Sequence, residues 1–243
     1  MLARFMHRLR LTSLKRKPHV KAYIKASRLH GEISNAMADY YFDGKFEQKF
    51  DADDSLALGT EKDGDTKPCE IDIYESSFDN TTREGLNGMM ECLIYKAAEN
   101  ASCITEEFLQ TRKYRKPEKV EMLKSMLASQ AGFFEFTGAS PDEGYVFLRE
   151  VFSGREHTLA EMSLSGSKRL DDFYIYTRVI TYRDISFNSG LCLLFTKTDP
   201  FVADFVKRQK NNYYPHGEFQ RFLQLYNYYV KTPNRQVTIT NPL

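Results

Sequence analysis

The sequence predicts an α+β fold: a helical N-terminal region, a five-stranded antiparallel sheet or small SH3- or OB-like barrel, and two C-terminal helices. Three observations predict it. Apolar residues recur every three or four positions up to Leu127, every second position from Gly132 to Phe195, and every three or four again from Phe201. Turn formers punctuate the alternating stretch at short intervals. The 243 residues include 18 Phe and 15 Tyr, enough large side chains to fill the core of one large domain or two small ones.

Pro18 suits a first helical turn and opens a helix over 18–49, with Leu29, Ile33, Met37, Tyr40 and Tyr41 on its apolar face and Gly44 as its end or kink. Residues 51–68, DADDSLALGTEKDGDTKP, are acidic and rich in turn formers, and read as a loop or linker. EIDIY at 70–74 reads as a short strand. Residues 82–98 form an amphipathic helix through Leu86, Met89, Leu93 and Ile94, and 103–112 a second. Pro117 opens a third, with Leu123 and Met126 inward and Gly132 as its stop. Strands follow at 132–138, 145–152, 157–164, 173–183 and 185–195, with Gly190 marking a bulge or bend. Their short connections suggest a meander, either closed into a small barrel or left as a flat sheet under helices. Asp199-Pro200 starts a helix with an N-cap acid, 218–230 forms the last helix, and VTIT at 237–240 is a candidate edge strand. The chain therefore divides into a basic arm (1–31), a helical region (32–130), the sheet or barrel (131–198) and the C-terminal helices and tail (199–243).

Charge is segregated along these regions. Residues 1–31 hold nine Lys or Arg and no acid; residues 32–110 hold nineteen acids against six bases; the net charge of +1 hides both. A local field, not the net charge, selects a polyionic partner. Arg4, Arg8, Lys15, Arg16, Lys17, Lys21, Lys25 and Arg28 offer phosphate contacts to a nucleic acid. Leu2, Phe5, Met6, Leu9 and Leu14 among them also fit a membrane-surface helix, and residues 1–17 fit an organelle transit peptide. The plainer alternative docks the arm on acidic surface of its own chain or a twin. No run approaches the length of an apolar membrane span.

Catalytic chemistry finds little purchase. Asp51, Asp53 and Ser55 begin an EF-hand-like pattern that fails at Leu56 and Lys62. Asp63, Asp65 and Lys67 have nuclease-like spacing but fall in the linker, and Asp142 and Glu143 in an ordinary turn. The five histidines show no metal-ligand spacing, and no Walker loop, G-x-G-x-x-G or nucleophile elbow occurs. Four scattered cysteines read as free thiols in a reducing compartment. No metal and no cofactor are expected, and no catalytic residue is assigned.

The strand at 173–183 places Tyr174, Tyr176, Arg178, Ile180 and Tyr182 on one face, and Tyr145, Phe147 and Arg149 share a face on a neighbouring strand. Small barrels stack bases on such residues, although tyrosines on strands also pack under covering helices. Tyr213, Tyr214 and Tyr228 exceed what the C-terminal helical stripes need, and read as a protein interface. The leading expectation is a non-catalytic cytoplasmic binding protein that engages nucleic acid through Arg4, Arg8, Lys15, Arg16, Lys17 and Lys21 of the arm and Arg149, Tyr176 and Arg178 of the sheet. A protein-interaction or assembly factor, with a protein partner or as a homo-oligomer, is the alternative; a metal-dependent nuclease or another enzyme with a hidden site is the third.

Overall fold

A computed structural model of the chain describes residues 12–54, 77–78, 83–95, 103–110, 116–167, 170–210 and 217–232. The chain divides into two compact units, one of Met1–Leu29 with Lys124–Leu243 and one of His30–Leu123. The first helix, α1 (Pro18–Asp54), begins in the former and ends in the latter. It runs through Gly44 and into the acidic segment expected as linker; a glycine costs a helix only about 1 kcal/mol, too little to stop one. The rest of that segment and the strand expected at 70–74 lie outside the described residues.

The His30–Leu123 unit is helical. Ile33, Met37 and Tyr41 of α1 are buried, as are Met89, Cys92 and Leu93 of α2 (Arg83–Tyr95) and Ile104 and Phe108 of α3 (Ile104–Gln110). Thr105 Oγ1 donates to Ile94 O at 2.7 Å, so the buried hydroxyl fastens α3 to α2. His30 is buried with its Nε2 against the Tyr95 hydroxyl, and burial pushes its pKa down to about 4. Met122 and Leu123 of α4 (Pro117–Leu127) complete the described core.

The other unit is built on five antiparallel strands: β1 (Gln130–Ser140), β2 (Tyr145–Glu150), β3 (Glu156–Ala160), β4 (Phe173–Tyr182) and β5 (Ile185–Thr196), in the order β3-β2-β1-β4-β5. Gly132 does not stop α4 but lies inside β1. The helix closes earlier, where Ser129 Oγ donates to Met126 O at 2.5 Å. The strands are not a plain meander: β4 crosses back to pair with the free edge of β1, Phe134 opposite Ile175 and Glu135 opposite Tyr174. The connection that allows this, residues 161–172, contains two short 3₁₀ turns, and its Leu164 and Leu170 pack against Phe134, Leu148, Leu159 and Ile175 on one face.

The sheet curls but does not close into the barrel offered as one expectation. Edges β3 and β5 approach each other without sharing a ladder. The register slips between Thr177 and Val179 where Gly190 takes a φ of 103°, which bends β5; Asn188 Oδ1 accepts from Gly190 N at 3.0 Å. The bend expected at Gly190 is therefore present. Glu161, just past the end of β3, meets β5 through a side chain instead: Asn188 Nδ2 donates to its Oε2 at 3.3 Å.

Two C-terminal helices, α5 (Pro200–Lys210) and α6 (Glu218–Lys231), cover the second face of the sheet. Phe205 meets Phe133 edge-on at 5.7 Å, Phe222 stacks on Tyr176 at 5.4 Å, and Tyr229 meets Phe195 at 5.8 Å. Each fully buried ring such as Phe133 or Phe222 contributes about 1.5–3 kcal/mol of burial. Asp199 caps α5, its Oδ1 accepting from Phe201 N at 2.9 Å and Val202 N at 3.3 Å. No helix among the described residues is long and apolar enough to cross a membrane.

Candidate functional site

The first turns of α1 carry the described part of the basic arm. Val20, Tyr23, Ala26 and Ser27 are buried, which fixes the opposite side of the helix toward solvent. That side presents Lys21, Lys25 and Arg28, four and then three residues apart, so consecutive charges rise about 6 and 4.5 Å along the axis. Lys15 and Arg16 are exposed in the turn before the helix. Among the described residues none of these five side chains has an ion-pair partner. Arg4 and Arg8 lie outside the described residues.

Lys17 does something different: it forms an ion pair with Glu143 in the β1–β2 turn, where His19 Nε2 also lies 2.8 Å from Glu143 O. The Lys17 ammonium holds the Glu143 carboxyl below its ordinary pKa. His19 then stacks on Tyr145, ring centroids 4.9 Å apart and planes within 17°. A second fastening is buried. Tyr23 OH donates to Glu161 Oε2 at 3.3 Å, and Ser163 N donates to Glu161 Oε1 at 3.0 Å. Glu161 is 2% exposed; burial raises its pKa, partly offset by these hydrogen bonds. Burial likewise pushes the nearby Cys192 thiol up to about 12. The start of α1 is thus held on the sheet by one surface pair, one ring stack and one buried carboxylate.

The sheet residues assigned to base stacking separate into two groups. Tyr176 is 5% exposed beneath Phe222, and Arg178 is 2% exposed. The Arg178 guanidinium pairs with Glu218 of α6 and donates to Ser129 O at 3.2 Å. No base reaches either residue while α6 is in place, so the stacking role expected of them is withdrawn. Their face is an internal seam, because the cation is neutralised there by an acid rather than by water. Arg149, on the same face but two strands from β4, is exposed, with Nε 3.4 Å from Glu135 Oε1. Beside it Phe147 is 37% exposed. Lys197 lies 5.4 Å from the ring centre of half-buried Tyr174.

Tyr228, expected as surplus interface aromatic, is engaged within the chain: it stacks on Phe201 at 3.9 Å, and its hydroxyl donates to Asp199 Oδ2 at 2.5 Å. The hydrogen bond to Asp199 raises its pKa. Tyr213 and Tyr214 lie outside the described residues.

At one end of the curled sheet a hollow of about 580 Å³ is lined by Phe134, Glu150, Arg155, His157, Asp184 and Ser186. Its polar groups are partly committed: Glu150 Oε2 accepts from Phe152 N at 2.9 Å and from Ser153 N, and His157 sits edge-on to Phe134 at 5.4 Å. Burial, then Arg155, lowers the His157 pKa. Among the described residues no group of three His, Cys, Asp or Glu could hold a metal ion. Asp63, Asp65 and Lys67 lie outside them, and Asp142 is an exposed turn residue.

The fastening roles of Glu161 and His19 were not read from the sequence. A signal for the first existed: Glu161 is the one charge inside the apolar run TLAEM, where a solvent-facing residue is not otherwise needed.

Fold and site together define a mixed α+β protein: an open, curled antiparallel sheet backed by helices, with a basic helix face fastened at its β1–β2 turn. The chain belongs to a family of unknown function (DUF7986), whose model matches residues 68–235. The matched span includes the whole sheet and α2 to α6; α1 lies outside it. No curated protein and no solved structure matches the chain.

Proposed function

We propose that this chain is a cytoplasmic binding protein that engages nucleic acid through the phosphate backbone, using the exposed face of α1. The observation that carries the reading is the group Lys15, Arg16, Lys21, Lys25 and Arg28, exposed and without an ion-pair partner among the described residues. Unpaired cations in register on a helix are free to replace counterions on a polyanion, and such contacts give affinity without sequence preference. The fastening at Glu143 and Glu161 supports the same reading, since a ridge held on a folded unit loses less entropy on binding than a loose arm. A buried free thiol at Cys192 fits a reducing compartment.

The test is the salt dependence of binding. Replacing Lys21, Lys25 and Arg28 by Gln removes three phosphate contacts, which reduces the slope of log K against log salt by about 2 for single strands and about 3 for duplex DNA. Fluorescence anisotropy across a salt series measures it, with circular dichroism checking that the helix is kept. An unchanged slope in the triple variant refutes the proposal.

A further inference from the structure

Among the described residues the cover over the second sheet face is incomplete, and what it leaves bare lies next to the arm. Helices α5 and α6 sit on Phe133, Tyr176 and Phe195, that is, on β1, β4 and β5. The same face of β2 carries Tyr145, Phe147 and Arg149, of which Phe147 and Arg149 are exposed. Phe147 stands opposite Gly138 in register. A side chain at Gly138 would meet Phe147 Cδ2 at 3.4 Å, so the ring rests against bare backbone on one side and meets solvent on the other. Residues alternate along a strand at about 6.6–6.8 Å per same-face step, so Tyr145, Phe147 and Arg149 form an even row. The row starts where the arm is fastened: His19 stacks on Tyr145, and Lys17 pairs with Glu143 two residues earlier. Unpaired Lys15 and Arg16 immediately precede that contact.

From this juxtaposition we infer that the β2 row is a base-stacking subsite for single-stranded nucleic acid, entered from the arm, with Phe147 as the platform and Arg149 as the cation beyond it. The inference rests on the phosphate-binding reading above and adds a preference for single strands, because only unpaired bases expose a face to Phe147. An aromatic ring beside cations is the combination that takes successive bases irrespective of sequence. Arg149 has Nε 3.4 Å from Glu135 Oε1, and among the described residues its terminal nitrogens donate no hydrogen bond, which leaves that end of the fork for a base or phosphate.

The experiment measures full-length protein against labelled oligo(dT), oligo(U) and a DNA duplex of the same length, the first two distinguishing DNA from RNA. Phe147→Ala is expected to weaken single-strand binding about 5- to 150-fold. Phe147→Leu still covers Gly138 but has no aromatic plane, and is expected to lose a similar factor; Phe147→Tyr is expected to retain binding. Duplex affinity and the salt slope stay unchanged in all three. Single-strand affinity that survives Phe147→Leu overturns the subsite while leaving the α1 reading intact, provided the Lys21/Lys25/Arg28 variant still reduces the slope. Loss of slope dependence on α1, or binding to no probe, overturns both. A dimer of the wild-type chain that dissociates on Phe147→Ala overturns the subsite in favour of a contact between copies.

Discussion

Removing the Glu218 carboxylate strands a cation inside the protein, and the consequence can be worked out. Arg178 is 2% exposed on its side chain, whereas Glu218 is 27% exposed. Breaking a buried pair by deleting one partner costs about 3–5 kcal/mol, most of it the penalty on the charge left behind. Two features of this site reduce that figure. The Arg178 guanidinium keeps Ser129 O at 3.2 Å, and the partly exposed position of residue 218 admits water once the side chain is gone. Glu218→Ala is therefore expected to destabilise the sheet-bearing unit by about 2–3 kcal/mol. Arg178→Met keeps the volume and removes the cation; the remaining carboxylate can turn to solvent, so the expected loss is smaller, below about 1.5 kcal/mol. The double variant is expected to match Arg178→Met alone. Urea unfolding followed by circular dichroism and tyrosine fluorescence measures these values; the absence of Trp leaves the tyrosine signal unobscured. The reasoning is refuted if Glu218→Ala lies within about 0.5 kcal/mol of wild type, or if Arg178→Met proves the more damaging change.

The His30–Leu123 unit is expected to lose stability in mild acid. His30 has a folded pKa of about 4 against an ordinary 6.5, so below pH 6.5 the unfolded chain takes up a proton that the folded one refuses. The loss amounts to about 3 kcal/mol by pH 4, is absent above pH 6.5, and should shrink in His30→Gln; thermal unfolding across that range reads it. Asp199→Ala removes the α5 cap and the acceptor of the Tyr228 hydroxyl, with an expected cost of about 1–2 kcal/mol. Tyr228→Phe keeps the stack on Phe201 and the cap and should cost less; equal losses would assign the effect to the Tyr228 hydroxyl's hydrogen bond rather than to the cap.

The element types were legible because periodicity is local. Alternation through 132–195 marked all five strands, and Asp199-Pro200 marked the start of α5, because each signal lies within a few residues of the structure it reports. Strand order was not legible in the same way. Nothing in FYIYTRVITY says that β4 pairs with β1 rather than β3; that choice is made by the length of 161–172 and by Leu164 and Leu170 inside it. The sheet face shows the same limit. Alternation put Tyr176 and Arg178 on one side, but it could not say that Glu218, forty residues on, neutralises the arginine under a helix. Tyr228 looked surplus because a helical stripe counts apolar partners, whereas its partner is the second oxygen of a capping aspartate. Of the arm, the charge was readable directly, but its division into fastened Lys17 and unpaired Lys21, Lys25 and Arg28 depended on the position of Glu143.

The gap between β3 and β5 bears on how the open sheet resists pairing with a further strand. An open sheet presents unpaired backbone amides at both margins, which are templates for another strand and for aggregation. Here β3 is five residues long, begins at exposed Glu156, and is followed at once by inward-pointing Glu161; β5 is broken by the slip at Gly190. A strand arriving at the β3 margin would have to bury against a carboxylate, and one arriving at β5 would lose register within a few residues. The residue that fastens the basic helix to the sheet thus also guards one of its margins, so an apolar substitution at Glu161 would both loosen that helix and expose a sticky edge.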